Sequence, residues 1–543
     1  MLSNINRRTT NSNETSSNCC NNDTDFETNS SDRKRTLSDE LKKLSEEQVR
    51  TLFELHEKEV LFKTTISICE TCLNHTRAAV FQSNDKVWLK KLCDTCLNSN
   101  PTDEKSWSIN LIENDANFYR TSNKDSWGKN YIKDKEFFIP EYQSCCGSGQ
   151  EKEKESCSIS DNPFASQLIN KSCTILVEVT NACNLACRVC YADASGDRIL
   201  PFEEFKSYIR QLIDEKSFID SIQVTGGEAT IHPQFWDMVE WLYAKDKVGM
   251  IYLPTNGLEI SKELISKRLA VMREKLLILL QFDGSETQTN QSLRRADTLK
   301  AREKVITLLA KHKICMQLTM TVAQDLSENE IDWVMKQGLK HKHIRLIGFL
   351  PTFYSGRYQL PIDAKKRPTL STVAHAIVKS LPSKVILEDF MPIPCSHPNC
   401  GWTSLFARRF GILFNITQKI DIGRVMNEVA YKTILDKDEI RSVLDKNKSS
   451  WISRGITALA KKMIRPSDVF GIAIKPFMDR FNYDLDRVSN CCHHILSTDG
   501  ELMSFCEYNT RFRKNDNWSN KPIIYGAHEK KAIAIKQIFE NVD

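Results

Sequence analysis

The sequence predicts an α/β fold in which a parallel sheet is wound in strand–helix units, with small metal-binding regions on either side. Near-continuous apolar runs of strand length recur through the middle of the chain, with room for a helix between each pair. Such runs are typical of parallel strands that are covered on both faces. In addition, cysteines before, within and after this stretch have spacings that are typical of metal ligands.

Six apolar runs read as strands of the central sheet. The segments between them include amphipathic stretches such as Thr298 to His312, which favour helices. The strands are predicted at residues 174–180, 221–225, 250–257, 276–284, 316–322 and 344–351. In a sheet of this kind, polar residues at the strand ends face a common mouth.

Three cysteines follow the first predicted strand in one short loop. Three residues separate Cys183 from Cys187, two separate Cys187 from Cys190, and Tyr191 follows directly. Three thiolates can hold three corners of an iron–sulfur cube and leave the fourth iron open for a small molecule. The alternatives are a zinc site and three unrelated buried cysteines.

A second motif, Gly226-Gly227-Glu228, follows the second predicted strand. Glycines let the backbone approach a ligand closely, and backbone carbonyls together with a carboxylate suit an ammonium group. Taken alone, the two glycines would indicate only a tight turn. Their distance from the cysteine loop favours a binding function.

Together the two motifs resemble the signature of the radical S-adenosylmethionine (radical SAM) enzymes. The lead-in Asn181-x-Cys183-Asn184-Leu185 belongs to this resemblance. It implies a partial (β/α)6 barrel and a SAM-binding 4Fe-4S cluster on the three cysteines. It also implies reductive cleavage of SAM to a 5′-deoxyadenosyl radical, which abstracts hydrogen from an unactivated carbon.

The same resemblance implies a set of residues that contact SAM. Gly226, Gly227 and Glu228 would contact its methionyl amine. At the ends of later strands, polar side chains are candidates for further cofactor binding, although each also suits an ordinary strand-end cap: Asn256, Gln281, Asp283 and Thr321.

Four cysteines before the sheet form two knuckles with twenty residues between them. These are Cys69 and Cys72, then Cys93 and Cys96. The spacing is typical of a four-thiolate tetrahedral site of the zinc-ribbon or rubredoxin kind. Zinc would make the site structural and mononuclear iron would make it an electron relay, and the pattern does not distinguish the two.

Cysteines after the sheet narrow the resemblance to one radical SAM subfamily. The segments from Asp389 to Cys400 and from Met478 to Asn509 are similar to elements of the subfamily that contains tetraether lipid synthase and the methanopterin-pathway methylase. That subfamily implies auxiliary 4Fe-4S clusters, a mononuclear iron site and carbon–carbon bond formation. The expected auxiliary ligands are Cys395, Cys400, Cys491, Cys492 and Cys506.

The segment just before the sheet departs from the subfamily pattern. Relatives carry Cys-x-x-x-Cys-Gly-x-Cys there, and Gly149 stands where the third cysteine is expected. Cys146 could still bind an auxiliary cluster if Cys157 and Cys173 acted as substitute ligands. A Glu-Lys run from Glu151 to Glu155 looks like a solvated loop instead, so both alternatives stay open.

Composition sets outer limits on the function. The 543 residues carry a net charge of +5, from 75 basic and 70 acidic residues, which is too small and dispersed to indicate nucleic-acid binding. Nineteen cysteines without a signal-peptide pattern indicate metal binding in a reducing, cytoplasmic compartment. The predicted regions are a disordered tail (1–45), a four-cysteine knuckle domain (60–135), a cysteine-containing linker (136–173), the barrel (174–365), a C-terminal auxiliary region (366–515) and a second tail (516–543).

The expected function is therefore that of a radical SAM enzyme. It would form carbon–carbon bonds or methylate on a lipid-like substrate, with a ferredoxin or flavodoxin as reductant. The alternatives are methylation of a pterin-like small molecule and a non-catalytic iron–sulfur or zinc protein. An amphipathic stretch at residues 451–464 allows peripheral membrane contact, although a helix packed on the barrel has the same pattern.

Overall fold

The computed structural model describes residues 23–99, 107–124, 172–381, 384–393, 395–409, 412–416 and 468–523. The first two elements are the helices α1 (Asp23–Lys42) and α2 (Glu46–Leu52). Leu37 and Leu41, one turn apart on α1, are buried in a cluster that includes Ile68. The predicted disordered tail of residues 1–45 is thus wrong for α1, because these leucines have an apolar surface to cover. Residues 1–22 lie outside the described ranges.

An antiparallel sheet of four strands follows, and it carries the two cysteine knuckles. Its strands pair in chain order. They are β1 (Val60–Ile68), β2 (His75–Ser83), β3 (Lys86–Leu92) and β4 (Trp107–Glu113), with helices α3 (Asp94–Ser99) after β3 and α4 (Ala116–Lys124) after β4. One knuckle lies in the β1–β2 connection and the other at the start of α3.

Six parallel strands form the centre of the molecule, and they lie side by side in chain order. These strands are β5 (Thr174–Glu178), β7 (Ile219–Thr225), β8 (Val248–Thr255), β9 (Leu276–Gln281), β10 (Cys315–Val322) and β11 (Ile344–Pro351), while the short β6 (Val189–Cys190) lies in the loop after β5. The predicted strand–helix winding is confirmed. Every residue of β5 is buried, as expected for a strand covered on both faces.

Helices separate these strands along the chain and bury one side against the sheet. They are α5 (Phe202–Lys216), α6 (Phe235–Tyr243), α7 (Glu263–Leu269), α8 (Thr287–Arg294), α9 (Leu299–Lys311), α10 (Ile331–Lys340) and, after β11, α11 (Leu370–Ser380). Within the described parts of the chain, no helix has the length and apolar character that crossing a membrane would require. The amphipathic stretch at 451–464 lies outside the described residues.

The C-terminal region extends the central sheet at both edges. A seventh parallel strand pairs with β11 and an eighth pairs with β5. These are β16 (Val469–Ile474) and β17 (His493–Leu496). The remaining strands and α-helices are β12 (Arg357–Tyr358), β13 (Met391–Pro392), β14 (Trp402–Arg409), β15 (Ile412–Asn415), α12 (Leu485–Ser489), β18 (Leu502–Ser504) and α13 (Phe505–Glu507). The sheet therefore has twelve strands among the described residues, and the C-terminal region is continuous with the barrel.

Candidate active site and metal centres

The loop after β5 packs Cys183, Cys187 and Cys190 against one another at the carboxyl end of the sheet, although their sulfurs do not all lie within 4.8 Å of one another. Strand β12 pairs with β6 inside this loop, with Arg357 opposite Cys190, and the Arg357 Nε donates to the Cys187 carbonyl at 3.2 Å. Burial, followed by the charges of Cys187 and Glu228, raises the pKa of the Cys183 thiol. A metal ion binds the deprotonated thiols, so it would stabilise the form of these groups that burial otherwise disfavours.

Gly226 and Gly227 lie directly against the cysteine loop. The Gly227 N–H donates to the Thr180 carbonyl at 2.8 Å, and the Glu228 N–H donates to the Ala182 carbonyl at 2.9 Å. A Cβ on Gly227 would stand 1.9 Å from the Ala182 carbonyl oxygen, and Gly226 has a φ of +133°. Only glycine at both positions permits this close approach.

The buried Glu228 carboxylate ties the end of β7 to the end of β8. It accepts hydrogen bonds from the Thr230 hydroxyl at 2.6 Å, the Thr255 hydroxyl at 2.9 Å and the Asn256 N–H at 2.8 Å. Burial raises its pKa, and these hydrogen bonds oppose that shift. The carboxylate thus fixes the backbone around the two glycines.

Asn256 links this assembly to the cysteine loop. Its amide Nδ2 donates to the Asn184 Oδ1 at 2.7 Å. Asn184 is only 1% exposed, and its own Nδ2 has no hydrogen-bond partner among the described residues. A buried donor without an acceptor costs about 1–3 kcal/mol. This donor beside Cys183 therefore fits a site built for a group with acceptor atoms, such as cluster sulfide or SAM.

The three other predicted cofactor residues lie in a buried ion network. The Asp283 carboxylate accepts hydrogen bonds from the Arg294 Nη2 at 2.7 Å and the Arg294 Nε at 2.9 Å. It also accepts one from the Arg302 Nη1 at 3.3 Å. Arg294 also donates to the Thr321 hydroxyl, and Arg302 donates to the Gln281 side-chain oxygen at 2.9 Å. Gln281, Asp283 and Thr321 thus bind two buried arginines, Arg294 and Arg302. The sequence did not predict this role, because arginines in helices usually indicate an exposed face.

Four thiols converge at the N-terminal sheet. The Cys69 and Cys96 sulfurs lie 3.6 Å apart, the Cys72 and Cys93 sulfurs lie 3.7 Å apart, and all four are within 4.8 Å of one another. A tetrahedral ion with metal–sulfur bonds of about 2.3 Å places its sulfurs about 3.8 Å apart. The geometry fits a single four-coordinate metal ion.

A second compact group consists of Cys173, Cys395 and Cys492, all buried and with sulfurs within 4.8 Å of one another. Cys173 precedes β5 and Cys492 precedes β17, so the parallel pairing of these strands brings the two thiols together. The possibility that Cys157 and Cys173 act as substitute ligands beside Cys146 stays open, because Cys146 and Cys157 lie outside the described residues. Among the described residues, the thiols near Cys173 are those of Cys395 and Cys492.

The other three C-terminal cysteines form a looser group. Burial, followed by the charges of Cys506 and Cys400, raises the pKa of Cys491. The Arg487 Nε donates to the Cys400 sulfur at 3.5 Å, and the Met478 N–H donates to the Cys506 sulfur at 3.3 Å. The adjacent residues Cys491 and Cys492 therefore belong to different groups of thiols: Cys492 lies with Cys173 and Cys395, and Cys491 lies near Cys400 and Cys506.

Comparison with known proteins gives matches in two regions. Residues 177–337 match the radical SAM superfamily, and residues 61–96 match the HMPTM N-terminal zinc ribbon domain. Over 513 residues the chain is 26% identical to the 7,8-dihydro-6-hydroxymethylpterin dimethyltransferase of Methanocaldococcus jannaschii, covering 83% of this chain and 94% of that protein.

Two more distant similarities accompany these matches. The chain is 23% identical over 255 residues to the GTP 3′,8-cyclase of Helicobacter pylori, covering 45% of this chain and 71% of that protein. The solved structure of native anSMEcpe with bound AdoMet is 21% identical and covers 38% of this chain and 59% of that one, with a TM-score of 0.30.

Proposed function

We propose that this chain, which carries a radical SAM domain behind an N-terminal zinc ribbon, cleaves one SAM reductively and uses the radical to take hydrogen from an unactivated carbon of a pterin-like small molecule. A second SAM then donates its methyl group to that carbon and leaves as S-adenosylhomocysteine, and the external reductant supplies the electron for each of the two steps. One observation carries the proposal. The loop that carries Cys183, Cys187, Cys190 and the unsatisfied Asn184 amide begins where the backbone of Gly227 and Glu228 bonds Thr180 and Ala182, at the carboxyl end of the parallel sheet.

The residues of this site divide the work between holding a cofactor and fixing its surroundings. A 4Fe-4S cluster bound by the three thiols would supply the electron that cleaves the SAM sulfonium. Strand β12 fixes the loop that carries the thiols. Because the Glu228 carboxylate already accepts several hydrogen bonds, we assign it the role of holding the glycine backbone, whose carbonyls suit the methionyl ammonium.

The substrate class rests on the extent of the similarity to the pterin dimethyltransferase. That similarity covers 83% of this chain, and so extends well beyond the radical SAM domain. A second relative is named for a reaction of GTP, another small heterocyclic molecule. Nothing in the described residues favours a lipid-like substrate or a membrane surface, and both stay predictions from the sequence.

The test is anaerobic turnover of the full chain after iron and sulfide reconstitution. With SAM, a reduced flavodoxin or dithionite, and 6-hydroxymethyl-7,8-dihydropterin, we expect 5′-deoxyadenosine and a pterin whose mass has increased by methyl groups. Cys187→Ala should abolish both products. Cys315→Ala is the matched control, because Cys315 lies at the start of β10 and the cysteine loop lies at the opposite, carboxyl end of the parallel sheet.

Two results would contradict different parts of the proposal. If the wild-type chain makes no more 5′-deoxyadenosine than Cys187→Ala, the SAM-cleaving site is refuted. If it makes 5′-deoxyadenosine but leaves the pterin unchanged, the SAM-cleaving site stands and the pterin-like substrate is refuted.

A further inference from the structure

We propose that Arg294 raises the reduction potential of the SAM-binding cluster by holding a positive charge against its ligand Cys187. Arg294 would be a positioning residue, since it acts through Cys187 and not on the substrate. The inference rests on the proposed function, in which Cys187 is a cluster ligand.

The end of helix α8 clasps the middle of the cysteine loop. The Arg188 N–H, one residue after Cys187, donates to the Leu293 carbonyl at 2.9 Å. Cys187 packs in one apolar cluster with Ala296. Arg294 lies between these two contacts on the chain, so its side chain is placed beside Cys187. Burial opposes the charge of its guanidinium, but first Asp283 and then Cys187 raise its pKa.

Arg294 is held rigidly in this position. Its guanidinium makes a two-pronged contact with Asp283, at 2.7 and 2.9 Å, and also donates to the Thr321 hydroxyl at 2.6 Å. Arg294 is 4% exposed and Asp283 is 1% exposed. A forked, buried contact of this kind fixes both the distance and the orientation of the charge.

The network beside Cys187 has an uncompensated positive charge. Two arginines, Arg294 and the 1% exposed Arg302, share the single carboxylate of Asp283, so two cations and one anion leave a net charge of +1. Salt screens buried charges much less than exposed ones. A cluster becomes more negative on reduction, so a neighbouring positive charge favours its reduced form and raises its potential.

The test measures the midpoint potential of the cluster in the full-length protein by redox titration monitored by electron paramagnetic resonance. Arg294→Gln removes the charge, and we expect the ratio of reduced to oxidised cluster at a fixed potential to fall at least tenfold, which is 59 mV for one electron. Arg294→Lys should retain most of the wild-type potential because it keeps the charge. Arg295→Gln is the control, because this neighbour is exposed and bonds Gln359 instead.

Each outcome decides the inference. An unchanged potential in Arg294→Gln at full iron content overturns it, and so does an equal drop in Arg294→Lys, which would indicate loss of structure and not of charge. If Arg294→Gln does not load iron, Asp283→Asn decides, because it makes the network more positive and should raise the potential. No change or a drop there overturns the inference. Absence of any cluster in the wild-type chain refutes the proposed function instead.

Discussion

Replacing Gly227 by alanine tests whether the glycine backbone positions the cysteine loop. The added Cβ would lie 1.9 Å from the Ala182 carbonyl oxygen, and real Cβ contacts essentially never fall below 3.0 Å. One of the two segments must therefore move by about 1 Å. The obstacle is backbone and not a flexible side chain, so no rotamer change can relieve it. Ala182 directly precedes Cys183, so the displacement is passed to the three cysteines that we propose as cluster ligands.

A displacement of about 1 Å at a reacting centre can cost roughly 10²-fold in rate. We expect Gly227→Ala to slow the formation of 5′-deoxyadenosine by about that factor, measured in single-turnover reactions with reduced protein of known iron content. Gly249→Ala is the matched control. Its Cβ would also clash with backbone, at 2.5 Å from the Asp220 carbonyl oxygen, but at the start of β8 and away from the cysteine loop.

Wild-type rates of SAM cleavage in Gly227→Ala, at full iron content, would refute the role assigned to this close approach. An equal loss of rate in both variants would show that backbone crowding anywhere in the sheet has the same effect. In that case the positioning argument would fail as well.

Three further predictions follow from buried groups. Cys183→Ala, like the same change at the other two loop cysteines, should abolish 5′-deoxyadenosine formation while far-ultraviolet circular dichroism stays near wild type, because the loop lies outside the main apolar core. Lys63→Met should lower the free energy of unfolding by about 3–5 kcal/mol, visible as a lower urea midpoint, because Lys63 bridges Asp484 and Asp486 at 2.8 Å each in a buried site. Burial lowers the pKa of His232 from 6.5 to about 4, so the unfolded chain binds the proton at a higher pH than the folded one. The free energy of unfolding should therefore fall as the pH drops from 6.5 to 4, by about 2 kcal/mol at pH 5. In His232→Gln, the urea midpoint should lose the part of its pH dependence that comes from this group.

Parallel strands could be located from the sequence because burial on both faces leaves a continuous apolar run. The run predicted at 316–322 is strand β10, Cys315–Val322. The eighth parallel strand could not be located in this way. Strand β17 has only four residues and begins with two histidines, His493 and His494, and its place is set by pairing with β5, more than three hundred residues earlier.

The cysteine pattern predicted metal ligands but not how they are grouped. Cys491 and Cys492 are adjacent in the chain, yet their side chains point to different groups, since the direction of each depends on the start of β17. The buried arginines were also beyond reach of the sequence. Arg302 binds Asp283, which lies nineteen residues earlier in the chain. In the sequence alone, an arginine in an amphipathic helix indicates a solvent-exposed face.

Hydrogen bonds join the N-terminal zinc ribbon to the segment that precedes the C-terminal cysteines. Alternate residues of β1 share one face of the strand, and on that face the Thr65 hydroxyl donates to Asp484 at 2.6 Å and the Ser67 hydroxyl donates to the Tyr483 carbonyl at 2.6 Å. The same segment continues into Arg487, which donates to the Cys400 sulfur. A metal ion on the four ribbon thiols would fix the end of β1, and its binding energy would also stabilise the segment that orders the distant cysteine group. Such an ion would support the C-terminal site through packing, whether it is zinc or iron.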